Sequence, residues 1–397
     1  MNYFLYYQYA VTFLLAVILI NFVINNIAYK SPSRFKLPPY FLKKRPLVSV
    51  LIPARNEEKN IGRCLRSLIK QDYDNIEILV LDDNSDDATG SIVDGWSKKD
   101  SRIKSLRGEP LPSGWKGKSY ACHQLSRKAK GDYLMFTDAD TLHFPDSTSS
   151  AIAALLSNDL DALSIFPKQI MVTIHERMVV VFINLAIMAF MPLFLIKNTT
   201  NPILSIANGQ FILFKRKTYD SIGGHENVKT DIVEDVAISR QIKKCGFKFM
   251  IFDGRLSVYC RMYKGFREVV RGFSKFIFAS MNYSITKMVA VISLVMILFL
   301  IPLILFPIGS YMIRWPLIIN VNLLIQISII LTIRIVMTFR FRSRIMDIVL
   351  HPLSMFYIMI LSVNSVYQAK YGKGIYWKDR VYDISDGEEL NKKKFDA

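Results

Sequence analysis

Val48-Ser-Val-Leu-Ile-Pro-Ala-Arg-Asn-Glu-Glu58 is an apolar run that Pro53 interrupts and a polar turn closes. After it, Ile61, Leu65, Leu68 and Ile69 recur at helical spacing, and Ile76-Glu-Ile-Leu-Val-Leu81 forms a second run of buried-strand character. That run ends in Asp82-Asp-Asn-Ser-Asp-Asp87. Strand, helix, strand predicts a right-handed crossover within a parallel sheet. Ligands of such sheets bind outside the carboxyl ends of the strands, where both polar clusters fall.

A third run, Asp132-Tyr-Leu-Met-Phe-Thr137, opens into Asp138-Ala-Asp140. Two carboxylates one residue apart at a strand end offer hard oxygen ligands to Mg2+ or Mn2+, ions that also hold a diphosphate. In isolation the pair means little, since with 33 acidic residues in 397 about three such pairs arise by chance. Its weight comes from convergence, because the clusters at 54–58, 82–87 and 138–140 all fall at predicted strand ends.

Pro112-Ser-Gly-Trp-Lys-Gly-Lys-Ser-Tyr-Ala121, Glu234-Asp235, His351-Pro352 and Tyr376-Trp-Lys-Asp-Arg-Val-Tyr382 follow. In this order the motifs resemble those of the inverting family-two glycosyltransferases. The set as a whole resembles a membrane-bound branch that includes carotenoid glucosyltransferases and hopanoid-associated transferases. The resemblance covers roughly residues 45–385. It implies an α/β fold: a GT-A nucleotide-sugar domain with a mixed, mostly parallel sheet, flanked by N-terminal and C-terminal transmembrane helices.

The same resemblance assigns roles. It makes Asp140 a metal ligand, with Asp138 beside it on the metal and the nucleotide ribose. Asp83 would accept a hydrogen bond from a uracil ring, and Ala54, Asn56 and Glu57 would line the nucleotide side. Trp115 and Lys118 would face the donor, and Asp235 would be the general base of an inverting transfer. Glu234, Gly209, Arg271 and Lys275 would lie on the acceptor side. The residues alone leave plainer readings open: 82–87 as an Asx-rich turn capping a helix, 114–118 as a loop with solvated lysines, and Glu234-Asp235 as acids complementing a helix dipole.

The implied reaction moves a hexose, glucose from UDP-glucose, onto a lipid or isoprenoid-type acceptor. Alternatives are transfer to polyprenyl phosphate, short processive polysaccharide synthesis, or a non-catalytic membrane scaffold that keeps the fold. Processive relatives carry a Gln-x-x-Arg-Trp signature. Here Phe273 replaces its Trp, which argues against a polysaccharide synthase. Acids at 83, 138, 140 and 235 argue against a scaffold.

Residues 1–29 carry no charged side chain, and 9–27 would span a bilayer as a helix. A secretory signal is the competing reading, but a basic leader and a small-residue cleavage site are both missing. Lys30, Arg34, Lys36, Lys43, Lys44 and Arg45 follow at once, so the positive-inside rule places the following domain, 45–287, in the cytoplasm of a multi-pass membrane protein. The segments 288–313 and 316–333 read as a membrane hairpin, and Arg334, Arg340, Arg342 and Arg344 as a basic loop after it. The stretch 345–366 contains Asp347 and His351-Pro352, and the charge rule favours a re-entrant or interfacial course over a crossing. Residues 288–368 thus form a C-terminal membrane region, and 369–397 a basic, polar tail.

The uncharged segment 178–196 is long enough to span, yet it falls between Asp138-Ala-Asp140 and Glu234-Asp235. Both motifs must reach one cleft, so an interfacial helix near 178–196 is expected. The net charge of +18 raises the question of nucleic acid, but no binding motif accompanies it, and much of it flanks apolar spans. Anionic membrane lipid is the partner that pattern suits, with no nucleic acid. Cys64, Cys122, Cys245 and Cys260 show no paired metal spacing and read as reduced thiols.

Overall fold

The runs that flank the polar clusters pair side by side. In a computed structural model describing residues 2–43, 45–371, 375–377 and 380–382, β1 (Val48–Ala54) lies parallel to both β2 (Ile76–Asp82) and β4 (Tyr133–Thr137). Val48 stands opposite Ile76 on one side and Tyr133 on the other. Outside β2, β3 (Ile103–Arg107) continues the parallel half. The far half is mixed and is built from β5 (Thr141–His143), β6 (Ala162–Gln169), β7 (Phe211–Lys215) and β8 (Phe249–Cys260). Across the eight-stranded sheet the order is β3-β2-β1-β4-β7-β6-β8-β5. β7 runs antiparallel to both β4 and β6, β8 runs parallel to β6, and β5 runs antiparallel to β8.

Every residue of β2 is buried, as expected for a strand covered on both faces. Helix Ile61–Leu68 buries Ile61, Cys64, Leu65 and Leu68, the stripe its spacing predicts. These residues share one core with Val48, Val50, Ile52, Ile78, Val80, Met135 and Leu163. Each such aliphatic side chain contributes about 1.5–3 kcal/mol by leaving water. Glu77 and the terminal Asp82 are the polar exceptions in β2. Ser49 Oγ and the Lys130 N–H both donate to Glu77 Oε1 at 2.6 Å, and Lys104 Nζ lies 2.6 Å from its Oε2. At the adjoining Gly131 a Cβ would come within 2.6 Å of Leu47 O and Ser49 N, so the chain can pass there only without a side chain.

The sheet belongs to a compact unit of residues 29–170 and 193–262. A second unit is helical and gathers residues 1–28, 171–192 and those from 263 onward. Two of its helices, Asn2–Ala28 and Leu317–Phe341, are long and apolar enough to cross a membrane. Phe266–Ser280 and Ile285–Phe299, bent by 110° between them, would make a third if taken as one span.

Within the helical unit the expected span 288–313 is divided into Ile285–Phe299, Ile301–Pro307 and a π-turn at Ile308–Ile313. Pro302 and Pro307 account for the breaks, because neither donates a backbone hydrogen bond. The expected 316–333 helix runs further, to Phe341, and carries Arg334 and Arg340 inside it. Residues 345–366 fold as the short helix Met346–Val349 followed by His351–Tyr371.

The 178–196 segment is not one helix either. Ile174–Leu185 passes into a π-turn at Ala186–Phe190, and Pro192 separates it from Leu193–Ile196. Asn21 and Asn25 of the first helix donate to the carbonyls of Met188, Ala189 and Met191, satisfying that broken end. Gln326 likewise donates to Gln8 and Thr12, tying Leu317–Phe341 to Asn2–Ala28. Ile375–Trp377 and Arg380–Tyr382 form an antiparallel pair, while Lys378, Asp379 and the tail 383–397 lie outside the described residues.

Candidate active site

The ends of β1 and β2 are zipped together by their own turns. The Asp83 N–H donates to Ala54 O at 2.8 Å, and Arg55 Nη1 reaches back to the carbonyls of Asp83 and Asn84. Asn56 turns the chain in the left-handed region at φ 51°. Its N–H donates to Ser85 Oγ, and its Oδ1 accepts from the Asp86 N–H. Glu57 N–H donates to Thr89 Oγ1 at 2.7 Å. Ala54, Asn56, Glu57 and Asp83 are thereby brought to one edge. Within 82–87 the turn-and-cap chemistry also holds. Asp82 accepts from Ser85 N–H and pairs with Arg107 at 2.7 Å, and Asp87 accepts from both the N–H and the hydroxyl of Thr89. Asp83 itself is buried.

Asp138 and Asp140 follow β4 on a loop fastened from below. Thr141 Oγ1 donates to Asp138 O at 2.7 Å, the Thr137 and His143 side chains meet Thr141, and Cys64 Sγ lies 3.9 Å from Asp138 O. On the far side Gln210 Nε2 donates to Cys260 Sγ at 3.0 Å. No sequence signal marked Cys64 or Thr141 for this part, because it depends on packing beneath a loop distant in the chain.

Helix Gly117–Lys128 delivers Lys118 from its first turn. Lys118 Nζ lies 2.8 Å from Asp138 Oδ1 and 3.0 Å from Glu234 Oε1. Burial works against its charge, yet the two carboxylates hold its pKa well above the ordinary lysine value. Trp115 packs on the same helix, its ring 5.1 Å from Tyr120 and 5.0 Å from His123, with Lys229 Nζ 5.8 Å from its centroid.

Helix Glu234–Lys244 begins at the acidic pair. Asp235 Oδ2 accepts the Gly209 N–H and its Oδ1 accepts the Val236 N–H, each at 2.8 Å. Burial first, and the Glu234 charge second, push the Asp235 carboxyl up to about 6, against the pull of Lys118 and these two donors. Gly209 sits in a turn pinned by Ser164 and by Thr137, whose hydroxyl donates to Gln210 O. A Cβ there would stand 3.0 Å from Lys118 Nζ and 3.5 Å from Asp235 Oδ2. The result is one small cleft lined by Pro53, Lys118, Asp138, Gly209, Glu234 and Asp235. His225 also lines it, but its Nδ1 meets Tyr219 Oη at 2.8 Å within an aromatic cluster.

Arg271 and Lys275 lie on helix Phe266–Ser280 of the helical unit. Arg271 is exposed there, and the Lys275 side chain falls outside the described residues.

The Asp138-Ala-Asp140 loop suits a hard cation. Asp140 Oδ1 is buried without a hydrogen-bond partner, and burial, then Asp138 and Glu57, push the Asp140 carboxyl up to about 7. Both features describe a carboxylate awaiting positive charge. Among the described residues no group of three or more His, Cys, Asp or Glu side chains closes around one point. Asp138 and Asp140 are the two carboxylates in this loop that could hold such a cation, and their oxygens are the hard ligands that Mg2+ and Mn2+ take.

The Glycosyl transferase family 2 model matches residues 49–223. The 4,4'-diaponeurosporenoate glycosyltransferase of Staphylococcus haemolyticus is 27% identical over 231 residues, 57% of this chain and 60% of that protein. Its Staphylococcus aureus counterpart is 28% identical over 252 residues, 62% and 65% of the two chains. The chain thus spans less than two thirds of the length of these relatives. The solved mannosyltransferase of Pyrobaculum calidifontis, in complex with GDP-Man and Mn2+, superposes at a TM-score of 0.52 with 19% identity. That match covers 91% of this chain and 99% of the other, and it supports the fold. The acidic strand ends, the mixed sheet that carries them and the matched segment agree: residues 49–223 match the glycosyl transferase family 2 model, and the sheet takes a GT-A fold.

Proposed function

We propose that the chain is a membrane-bound, inverting glycosyltransferase that moves one hexose, glucose from UDP-glucose, onto a lipid or isoprenoid-type acceptor at the cytoplasmic face. The observation that carries this reading is the shared cleft. Asp235, held by Gly209, and Asp138, held by Lys118, line one cavity at the ends of the strands. The names of the carotenoid-acid glycosyltransferase relatives support an apolar acceptor, and the two candidate spans support residence in a membrane.

In this mechanism Asp83, with Ala54, Asn56 and Glu57 beside it, receives the uracil and its ribose. Asp138 and Lys118 face the ribose and diphosphate, and Trp115 faces the donor. A divalent cation, Mg2+ or Mn2+, would be held by Asp140 and Asp138 and when bound neutralises charge on the leaving diphosphate. Asp235 takes the proton from the acceptor hydroxyl. With its carboxyl near 6 it is ionised at neutral pH while still basic enough to accept a proton. The two backbone donors fix its orientation, so attack proceeds from the face opposite the leaving group and inverts the anomeric centre. Glu234 and Gly209 form the acceptor edge of the cleft, and Arg271 and Lys275 are assigned to acceptor recognition. The segment 178–196 lies along the membrane interface, where an amphiphilic acceptor resides.

Detergent-purified full chain, radiolabelled UDP-glucose and a lipid extract test this reading together. Labelled glycolipid is expected, with Asp235→Asn abolishing it. Donor hydrolysis without glycolipid, across UDP- and GDP-sugars and several lipid classes, would overturn it.

A further inference from the structure

The helical unit buries a second set of charges that the transfer chemistry does not use. Arg334, on helix Leu317–Phe341, is 1% exposed. Its Nη2 donates to the carbonyl of Asp347, while Nε and Nη1 have no protein acceptor. The carboxylate that could answer it is already engaged. Asp347 Oδ1 takes Arg177 Nε at 2.8 Å and Arg177 Nη2 at 2.6 Å, and Oδ2 accepts the Arg344 N–H at 3.0 Å. Asp347 is also the only acidic residue between 285 and 371. Two buried guanidinium groups therefore share one carboxylate, and one positive charge is left over.

A further buried polar atom belongs to the same unit. His351 is 2% exposed, its Nε2 meets Phe299 O at 3.1 Å, and its Nδ1 has no partner. An uncompensated guanidinium with two unanswered donors in an apolar helical unit is strongly unfavourable unless an anion meets it. Phosphate oxygens suit guanidinium donors well. Arg334 lies toward the end of its helix, where Arg340, Arg342 and Arg344 follow, the last two exposed. Basic pockets between membrane helices, at the end bearing the positive loop, are the places where acidic phospholipid headgroups bind.

We propose that Arg334, with Arg177 and Asp347 fixing its surroundings, binds the phosphate of an acidic phospholipid. The site stands apart from the glycosyl-transfer reading and does not depend on it. The full chain, delipidated in dodecyl maltoside, should gain thermal stability from phosphatidylglycerol and bind it in native mass spectrometry. Phosphatidylcholine and inorganic phosphate should do neither. Arg334→Gln should weaken phosphatidylglycerol binding about tenfold or more, the scale of a lost charged hydrogen bond, and Arg342→Gln should change it much less. Equal binding of phosphatidylcholine would overturn the proposal, even if Arg334→Gln fails to fold. Equal response to inorganic phosphate would make the site one for a free anion and overturn the lipid assignment. Unchanged binding by a folded Arg334→Gln would mean that buried water suffices, which also overturns it.

Discussion

Lys118 Nζ lies 2.8 Å from Asp138 Oδ1, and the same ammonium lies 3.0 Å from Glu234 Oε1. One cation thus links the end of β4 to the acidic pair that begins the Glu234–Lys244 helix. It lowers the Asp235 carboxyl as well, against burial and Glu234. Lys118→Met removes that positive charge and leaves the acids facing one another. We expect the acidic limb of the pH–rate profile to move to higher pH and nucleotide-sugar binding to weaken about tenfold. A full pH profile of the variant checks this, and an unmoved acidic limb would show that Lys118 is not coupled to the base.

Asp235 gives the profile its sign. With the carboxyl pushed up to about 6, the competent carboxylate forms as pH rises through that value, so kcat/KM should climb to a plateau near neutrality. Asp235→Asn should retain UDP binding and lose transfer about a hundredfold or more. Stability runs the other way. A carboxyl raised on folding stabilises fully below its ordinary pKa, and that contribution disappears as pH rises through about 6. Melting curves of the unliganded protein should therefore fall between pH 4 and pH 7 more steeply in wild type than in Asp235→Asn. Parallel curves would place the titration elsewhere.

Much of this cleft is legible in the sequence. β1, β2 and β4 are covered on both faces, so they appear as continuous apolar runs, and their polar ends mark the crevice. The pairing of Lys118 with Glu234 could not be read, since the residues are far apart in the chain and meet only through the order of the sheet. β8 hid for a different reason. Its twelve residues include Asp253, Gly254 and Arg255 at an irregularity in the pairing with β6, which breaks any simple periodicity. Two of the expected spans coincide with helices long and apolar enough to cross a membrane, but the breaks within 288–313 are not legible, because hydropathy is blind to Pro302 and Pro307.

Gly209 is the point where backbone, base and cation meet most closely. In Gly209→Ala the new Cβ would press on Lys118 Nζ at 3.0 Å, and the flexible lysine end would yield before the backbone. Stability should change by no more than about 1 kcal/mol. Turnover should fall about tenfold, because the displaced Lys118 ammonium no longer sits between Asp138 and Glu234. Circular dichroism melts and steady-state kinetics separate the two effects, and unchanged turnover would remove Gly209 from the positioning scheme.

Asp140 tests the cation assignment. Its Oδ1 is buried and unanswered by protein, so Asp140→Ala removes an unfavourable charge as well as a ligand. The variant should fold at least as well as wild type and should lose transfer dependent on Mg2+ or Mn2+. Isothermal titration with Mn2+ and UDP gives a readout independent of turnover. Wild-type Mn2+ affinity in the variant would assign the cation to other residues.

The course of the chain between its two acidic motifs sets the last prediction. Asp138 and Asp235 line one cleft, so the residues joining them must begin and end on one side of any bilayer. Segment 178–196 is interrupted at Met191 and Pro192, which suits an interfacial path better than a span. The Leu317–Phe341 helix carries Arg340 in its last turn, and Arg342 and Arg344 follow it, so the proposed topology puts this basic loop in the cytoplasm by the positive-inside rule. A single cysteine at Asn198 and another at Arg342, each introduced into a chain whose native cysteines are replaced by serine, should both react with an impermeant maleimide only after the cells are opened. Labelling at Asn198 from outside intact cells would require a true crossing between the motifs. The expected protection at both positions, with labelling after lysis, would place the cleft and the basic loop on the same face.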